Sequence, residues 1–270
     1  MVAFLASILL EPASHCRSEL PSVGRLQMNA LFRLPRRLLA RAAEPIETAR
    51  RRRADQASIE RYLAGHPIAC LHLGCGVHPL PGWINSDIGS DDPAVIEIDA
   101  TQRFPFADAV LDFIFSEHMI EHLPYPGALS MLDECFRTLK PGGTVRISTP
   151  DLDFLLALFG SALTPTQQRY IEWSTRTFVE SAPRPKAVYV LNNFVRDWGH
   201  QFIYDEETLR ESLERSGFAD VVRCDLNQSE HAMLRGLENE SRMPPGFLKL
   251  ETMTFEASKP RVAGASRPAR

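Results

Sequence analysis

Five short apolar runs between residues 66 and 150 constrain the fold of this chain more than any other feature. They span residues 68–73, 83–88, 94–98, 110–115 and 144–148, and turns or helical stretches separate them. Strands that are apolar along their whole length are typical of a parallel sheet with both faces covered. The sequence therefore predicts an α/β fold, in which helices flank a mostly parallel sheet.

Two amphipathic helices and two late strands complete the predicted sheet domain. Apolar residues between 128 and 139 recur at helical spacing, and Pro141-Gly142-Gly143 should end that helix, because proline cannot continue the hydrogen-bond ladder. Asp205 is a suitable N-cap for the second helix. Residues 218–224 and 248–255 are expected to be late strands that pair antiparallel.

The length and the charge pattern predict three regions. Residues 1–64 should form a basic, helical and partly disordered arm. Residues 65–258 should form the sheet domain, with an insertion at about 151–204, and residues 259–270 a disordered tail. Residues 31–53 contain eight arginines and only two glutamates, so this segment is strongly basic, although the whole chain has a net charge of −4. A solvated arm is one explanation, and weak peripheral membrane contact through residues 33–53 is another.

The remaining composition excludes several classes of protein. The net charge of −4 gives no reason to expect nucleic-acid binding. The five cysteines are scattered without a CxxC pair, so neither a disulfide framework nor a zinc centre is expected. No apolar run reaches the roughly 20 residues that a membrane-spanning helix needs. We therefore expect a cytoplasmic protein, with membrane association of the arm as the open alternative.

The first apolar run ends in a glycine turn, Gly74-Cys75-Gly76, whose free backbone N–H groups could hold an anionic group. A nicotinamide-binding fingerprint would need a third glycine where Pro79 stands, and no Gly-Lys-Ser/Thr follows for a phosphate loop. Asp87 and Asp99 close the second and third runs. Because parallel strands end at one edge of a sheet, these two carboxylates should lie along the same edge as the glycine turn.

The segments LHLGCG (71–76), WINSDIG (83–89) and LDECFRTLKPGGTVRISTPDL (132–152) together resemble the class I S-adenosylmethionine-dependent methyltransferases. The resemblance is to the methyltransferase domain of type 11, and especially to predicted methyltransferases of polysaccharide gene clusters. It implies a Rossmann-like sheet and S-adenosylmethionine as the cofactor.

The resemblance also assigns the residues that bind the cofactor. Leu73, Gly74, Cys75 and Gly76 would lie under its methionine part. Asp87 would bind the ribose, and Asp99 with Ala100 would flank the adenine. Ser116, Glu117 and His118, just after the fourth strand, would lie near the transferred methyl group.

The sequence departs from this family pattern in three places. His72 stands where many of these enzymes carry an acidic residue, and His78 replaces a third glycine. Only six residues separate Gly76 from Trp83, although a parallel crossover normally needs a dozen or more. The first crossover helix must therefore be very short, or the second strand is misplaced.

The acceptor is expected to be a small molecule or a glycan that is methylated on oxygen. His118 and His200 are candidates for the general base or for acceptor contacts. His118 and His122 do not match the zinc-protease pattern, because Met119 follows the first histidine, so no metal is expected. Two alternatives stay open: a non-catalytic binding protein with the same fold, and a methyltransferase that acts on RNA or protein.

Overall fold

The computed structural model describes residues 36–261, with side chains from residue 48 onward. The chain forms two compact units, Met1–Ile46 and Glu47–Arg270. Of the first unit, only the backbone of residues 36–46 is described, and it is helical. Most of the predicted arm and residues 262–270 of the predicted tail lie outside the described residues.

The second unit is built on a seven-stranded sheet with the strand order β3-β2-β1-β4-β5-β7-β6. Strands β1 to β5 pair in parallel, and β7 runs antiparallel to both β5 and β6. The predicted Rossmann-like sheet with late antiparallel pairing is therefore confirmed. The strands are β1 (Cys70–Leu73), β2 (Ile84–Asp87), β3 (Val95–Glu97), β4 (Leu111–Glu117), β5 (Leu139–Pro150), β6 (Ala219–Cys224) and β7 (Thr252–Ser258).

Seven α-helices are described in residues 36–261. They are α1 (Arg36–Gly65), α2 (Tyr125–Thr138), α3 (Leu152–Ala157), α4 (Pro165–Phe178), α5 (Ala187–Arg196), α6 (Glu206–Arg215) and α7 (Phe247–Glu251). Asp205 caps α6 as predicted, because its side chain accepts from the backbone N–H of Thr208. Among the described residues, no helix is both long and apolar enough to cross a bilayer.

The two faces of the sheet are covered by different kinds of structure. One face packs against apolar residues of α2 and α6 and against Ile59 of α1. On the other face, Cys70, Trp83 and Phe115 pack against Leu234, which lies in the segment between β6 and α7. This late segment covers the face that a helix between β1 and β2 would otherwise cover. The connection between those strands can therefore be as short as the sequence indicated, and β2 lies where it was predicted.

Three sequence predictions about elements were wrong in detail. Helix α2 ends at Thr138, and Pro141-Gly142-Gly143 lies inside β5 as a bulge opposite Leu111 and Phe113 of β4. The helix stops earlier because a residue that precedes proline is disfavoured in helical conformation. The segment 248–251 is helical rather than extended.

The other correction concerns β4, which runs on through Ser116 and Glu117. Both residues were placed after the strand, since the apolar run ends at Phe115. Backbone pairing with β5 continues beyond the apolar residues, because Ser116 and Glu117 are in register with Ile147 and Ser148.

The predicted insertion contains α3, α4 and α5, which build a second apolar cluster. Phe154, Tyr170, Val190 and Phe194 form its centre, together with Phe247 of α7. Thr164 and Gln167 form a capping box at the start of α4. The insertion is thus a small helical layer with its own core, placed beside the carboxyl end of β5.

Candidate functional site

A cavity of about 630 Å³ opens where the connections of the sheet change direction. From β1 the chain leads to β2 on one side, whereas β4 lies on the other side of β1. Such a switch point, at the carboxyl ends of the strands, is where open α/β sheets bind their ligands. We call this space the edge cavity. Its walls are residues 74–80 after β1, Glu117 and His118 at the end of β4, His72, residues 236–239 and Arg242.

The glycine turn lines the edge cavity, but its backbone donors are already engaged. The N–H groups of Gly74 and Cys75 both donate to the Ser86 carbonyl at 2.9 Å. The N–H of Gly76 donates to the Asp87 carboxylate at 2.6 Å. The prediction of free N–H groups at these three residues was therefore wrong, because the turn closes onto β2.

The two glycines of this turn are required for different reasons. Gly74 has a φ of +76°, and a Cβ there would overlap the side chain of Met119. Gly76 has a φ of +53° with no such contact, so only its backbone conformation demands glycine. Met119 thus fills the space beside the Gly74 Cα, and Gly74 also lines the edge cavity.

Asp87 and Asp99 lie along one edge of the sheet, as the sequence predicted. Asp87 is the last residue of β2, and Asp99 follows the parallel strand β3 by two residues. Asp87 accepts one hydrogen bond on each oxygen, from Gly76 and Ile88. Asp99 is exposed, and its Oδ1 caps the following turn at Thr101. Neither carboxylate lines the edge cavity, although Asp87 is bonded to its wall.

The other predicted cofactor residues divide into those that line the edge cavity and those that lie beneath it. Cys75, Glu117 and His118 line the edge cavity. Leu73, Ala100 and Ser116 are buried beneath the surface of this edge. The Ser116 hydroxyl has no hydrogen-bond partner among the described residues. The assignment of these side chains to the cofactor stays a prediction.

Sequence reasoning missed the wall of the edge cavity that residues 236–239 and Arg242 form, in the segment between β6 and α7. Glu117 accepts hydrogen bonds there from the Asn239 backbone at 3.1 Å and from Arg242 at 3.3 Å. The segment is held to the sheet by Arg146, which is fully buried. The Arg146 guanidinium contacts Glu238 and Glu256 at 2.6 Å each. An arginine inside an apolar strand was the available signal, because a buried charge needs partners.

His72, which stands where an acidic residue was expected, is buried in the wall of the edge cavity. Its Nδ1 lies 3.3 Å from the Asn85 side-chain oxygen. Burial lowers the pKa of His72 from 6.5 to about 4, and the contact with Asn85 offsets only part of this effect.

The lowered pKa of His72 predicts a loss of stability in acid. Between pH 6.5 and about 4 the unfolded chain binds a proton at His72 that the folded chain excludes, so falling pH favours unfolding. A difference of about 2.5 units corresponds to about 3 kcal/mol. Urea unfolding at about pH 7 and about pH 4.5 should show wild type losing more stability than His72→Gln. Equal losses would contradict the prediction.

A second cavity, of about 250 Å³, lies beside the edge cavity under the inserted helices. His118 and Arg242 line both cavities. We call the second space the aromatic cavity. Its remaining walls are Trp173, Phe178, Phe194, Trp198, Glu121, His122, His200, Met243 and Glu251. The structure thus brings both histidine candidates to one cavity, His118 from the end of β4 and His200 from within the insertion.

His118 occupies the junction of the two cavities in an unusual backbone conformation. Its φ of +48° turns the chain sharply after β4. Its Nε2 lies 2.9 Å from the Thr252 hydroxyl, and its Nδ1 lies 3.4 Å from the Glu121 carboxylate. A carboxylate on one ring nitrogen orients the imidazole and leaves the other nitrogen able to accept a proton.

A family model described as Methyltransferase domain (Methyltransf_23) matches residues 29–222, which is more than half of the chain. The match confirms the predicted class, although the resemblance in the sequence was to type 11. No curated protein matches the chain.

Several solved structures are similar in fold. A S-adenosylmethionine-dependent methyltransferase from Archaeoglobus fulgidus is 19% identical, with a TM-score of 0.44, over 77% of this chain and 94% of that one. A possible histamine N-methyltransferase from Thermotoga maritima is 16% identical, with a TM-score of 0.40, over 81% and 95%.

Phosphoethanolamine N-methyltransferase 2 from Haemonchus contortus, in complex with S-adenosyl-L-methionine, is 15% identical, with a TM-score of 0.38. The alignment covers 76% of this chain and 52% of that one, so the chain spans about half the length of that relative.

Proposed function

The chain belongs to the methyltransferase-domain family, whose class I members use S-adenosylmethionine, and from that membership we propose that it methylates a hydroxyl of a small, ring-shaped acceptor such as a sugar unit. The observation that carries the proposal is the meeting of two cavities at His118. One cavity adjoins the glycine turn and Asp87, and the other is lined by aromatic side chains. A methyl donor and an acceptor held in these two spaces would face each other across His118.

The described residues fit the cofactor at the edge cavity. Cys75, Gly76 and Glu117 would surround its methionine part, and the carboxylates of Asp87 and Asp99 would accept hydrogen bonds from its ribose and adenine. Both carboxylates retain unused lone pairs after their backbone contacts. When bound, the cofactor supplies an activated methyl group on a sulfonium, so the protein mainly has to position the two reactants.

The aromatic cavity supports a small acceptor with a flat face. Phe178 contacts both Trp173 and Trp198 edge to face, and the three side chains offer apolar surfaces for a ring. The volume of about 250 Å³ is sufficient for one ring. His118 Nε2 is the atom that would receive the hydroxyl proton, directly or through Thr252. Glu121 would hold the imidazole in place.

The location of the protein is part of this proposal. We infer a cytoplasmic enzyme whose basic arm can touch anionic lipid. Arg50, Arg52 and Arg53 are exposed at the described end of the arm. Arg51 is engaged instead, because it donates to the Val95 carbonyl at 2.6 Å and pairs with Asp55.

Cofactor binding gives the first test of the proposal. In calorimetric titration with S-adenosylmethionine, wild type should bind, and Asp87→Ala should bind about 10–100-fold more weakly, because two charge-assisted hydrogen bonds are lost. Asp91→Ala, at an exposed carboxylate in the next loop, is the matched control and should bind like wild type. Equal affinity of all three proteins would remove Asp87 from the site.

A panel of acceptors then separates the alternatives. Transfer of a labelled methyl group to hydroxyls of sugars or other ring compounds would support the proposal. Binding of the cofactor without transfer to any member of a broad panel would favour a non-catalytic binding protein. Labelling of RNA or protein in preference to small molecules would replace the proposed acceptor class.

A further inference from the structure

Three potential metal ligands come together in the aromatic cavity. Glu121, His122 and His200 each offer one atom, and these atoms lie within 4.8 Å of one another. The rings of His122 and His200 are 4.8 Å apart, at an angle of 77°. The sequence suggested no metal, because the spacing of 118–122 is wrong for a zinc protease. The fold adds a ligand from 78 residues further along the chain, which the spacing could not reveal.

The backbone holds the two halves of this cluster together. The N–H groups of Gln201 and Phe202 donate to the Glu121 carbonyl at 2.7 and 3.1 Å. The Gln201 side chain also donates to the His122 carbonyl at 2.8 Å. Gly199, with a φ of +80°, brings the chain close to the His122 ring. The position of His200 relative to Glu121 and His122 is therefore set by the chain itself, before any ligand binds.

The hydrogen bond of the His200 ring leaves its Nε2 available to bind a metal. Its Nδ1 lies 2.7 Å from the Phe194 carbonyl oxygen. A carbonyl can only accept, so Nδ1 carries the proton and Nε2 keeps its lone pair. This arrangement, in which the outer nitrogen donates to a carbonyl, is found in most histidines that bind metals.

The carboxylate of Glu121 is buried and half satisfied. Its Oε2 accepts from Thr149 at 3.0 Å, whereas its Oε1 has no hydrogen-bond partner among the described residues. The Nδ1 atom of His118 lies 3.4 Å from this Oε1. A fully buried oxygen without a hydrogen bond is costly unless a further ligand compensates it.

We propose that Glu121, His122 and His200 bind a divalent first-row transition metal, with Zn²⁺ as the best match. Two neutral imidazoles and one carboxylate form a known ligand set for catalytic zinc, which leaves the fourth position open. In a tetrahedral site the ligand atoms of one zinc ion lie about 3.4 Å apart, so the three side chains must approach one another by up to about 1.4 Å. The open position would face the aromatic cavity. Binding of the ion requires neither cofactor nor acceptor, so this inference goes beyond the proposed function.

Metal binding can be measured on the full chain without turnover. After treatment with a chelator, titration with Zn²⁺ should show one ion bound per chain, and Co²⁺ should give the visible absorption of a four- or five-coordinate site. His200→Ala and Glu121→Gln should each weaken Zn²⁺ binding by more than about 100-fold. Replacing a residue that only hydrogen-bonds to a metal ligand already lowers metal affinity by about 10–100-fold, and these two variants remove a ligand itself. Glu121→Gln keeps the shape of the side chain, which guards against a variant that fails to fold.

His231→Ala is the matched control, since His231 contacts Thr144 and Phe113 and belongs neither to the cluster nor to the aromatic cavity. It should bind Zn²⁺ like wild type. Absence of stoichiometric binding, or equal binding by wild type and His200→Ala, would overturn the inference. Preference for Mg²⁺ over Zn²⁺ would also overturn it, because Mg²⁺ selects oxygen ligands. Binding of S-adenosylmethionine would be measured in the same variants. If it is unchanged while the Zn²⁺ result contradicts the inference, only the metal site is wrong and the proposed function still stands.

Discussion

Replacing Arg146 by methionine is expected to destabilise the fold by about 3–5 kcal/mol, a large part of the 5–15 kcal/mol that stabilises an ordinary domain. Methionine occupies a similar volume but leaves Glu238 and Glu256 buried without their cation. Arg146 also donates to the carbonyl groups of Asp225 and Gln228, so four contacts disappear together. Urea unfolding followed by circular dichroism would measure the loss.

Arg176→Met is the control for the loss of an arginine. Arg176 pairs with Glu172 on the exposed face of α4, where an ion pair contributes about 0–1 kcal/mol. Because Arg146 ties residues 225–246 to the sheet, Arg146→Met should also weaken cofactor binding in protein that is still folded. Comparable stability of the two variants would contradict the role assigned to the buried network.

Replacing His118 by asparagine is expected to lower kcat by about 10²–10⁴-fold, the usual effect of removing a general base. Asparagine tolerates a positive φ better than most residues, so it should preserve the backbone conformation at position 118, where φ is +48°. The amide cannot accept the hydroxyl proton, although it can fill the junction between the cavities. Rates would be measured with saturating S-adenosylmethionine and with the acceptor identified from the panel.

His66→Asn is the matched histidine control, because His66 is exposed at the end of α1 and stacks only on Tyr62. It should leave kcat unchanged. Cofactor binding by His118→Asn, measured by calorimetry, distinguishes a chemical effect from a disturbed edge cavity. Retention of full activity by His118→Asn would exclude His118 as the base and leave positioning as the source of catalysis.

Much of the fold was predictable because strand ends leave a local signal. Each apolar run ends near a glycine, an aspartate or a serine, and parallel pairing then places those ends on one edge. This reasoning located Gly74, Asp87 and Asp99 together without any knowledge of the sheet order. It failed for Pro141-Gly142-Gly143, since a bulge in β5 is decided by pairing with β4 and not by the segment itself.

The hydrogen bonding of the glycine turn could not be predicted either. Its composition indicates a backbone that can approach a ligand closely. Whether the N–H groups are free depends on how far β2 lies from β1, and here Ser86 and Asp87 lie close enough to accept them. The composition of a turn fixes its conformation, whereas its partners are fixed by the neighbouring strand.

The amino-acid order alone determined the α/β class and the edge of the sheet where the edge cavity opens, because periodicity and turn residues act over a few neighbours. The family followed from the resemblance of whole segments to known methyltransferases. Only the tertiary structure decided that residues 236–239 and Arg242 line the edge cavity and that His200 lies beside Glu121 and His122. Those contacts join segments 78 or more residues apart, and their geometry depends on packing that no local pattern encodes.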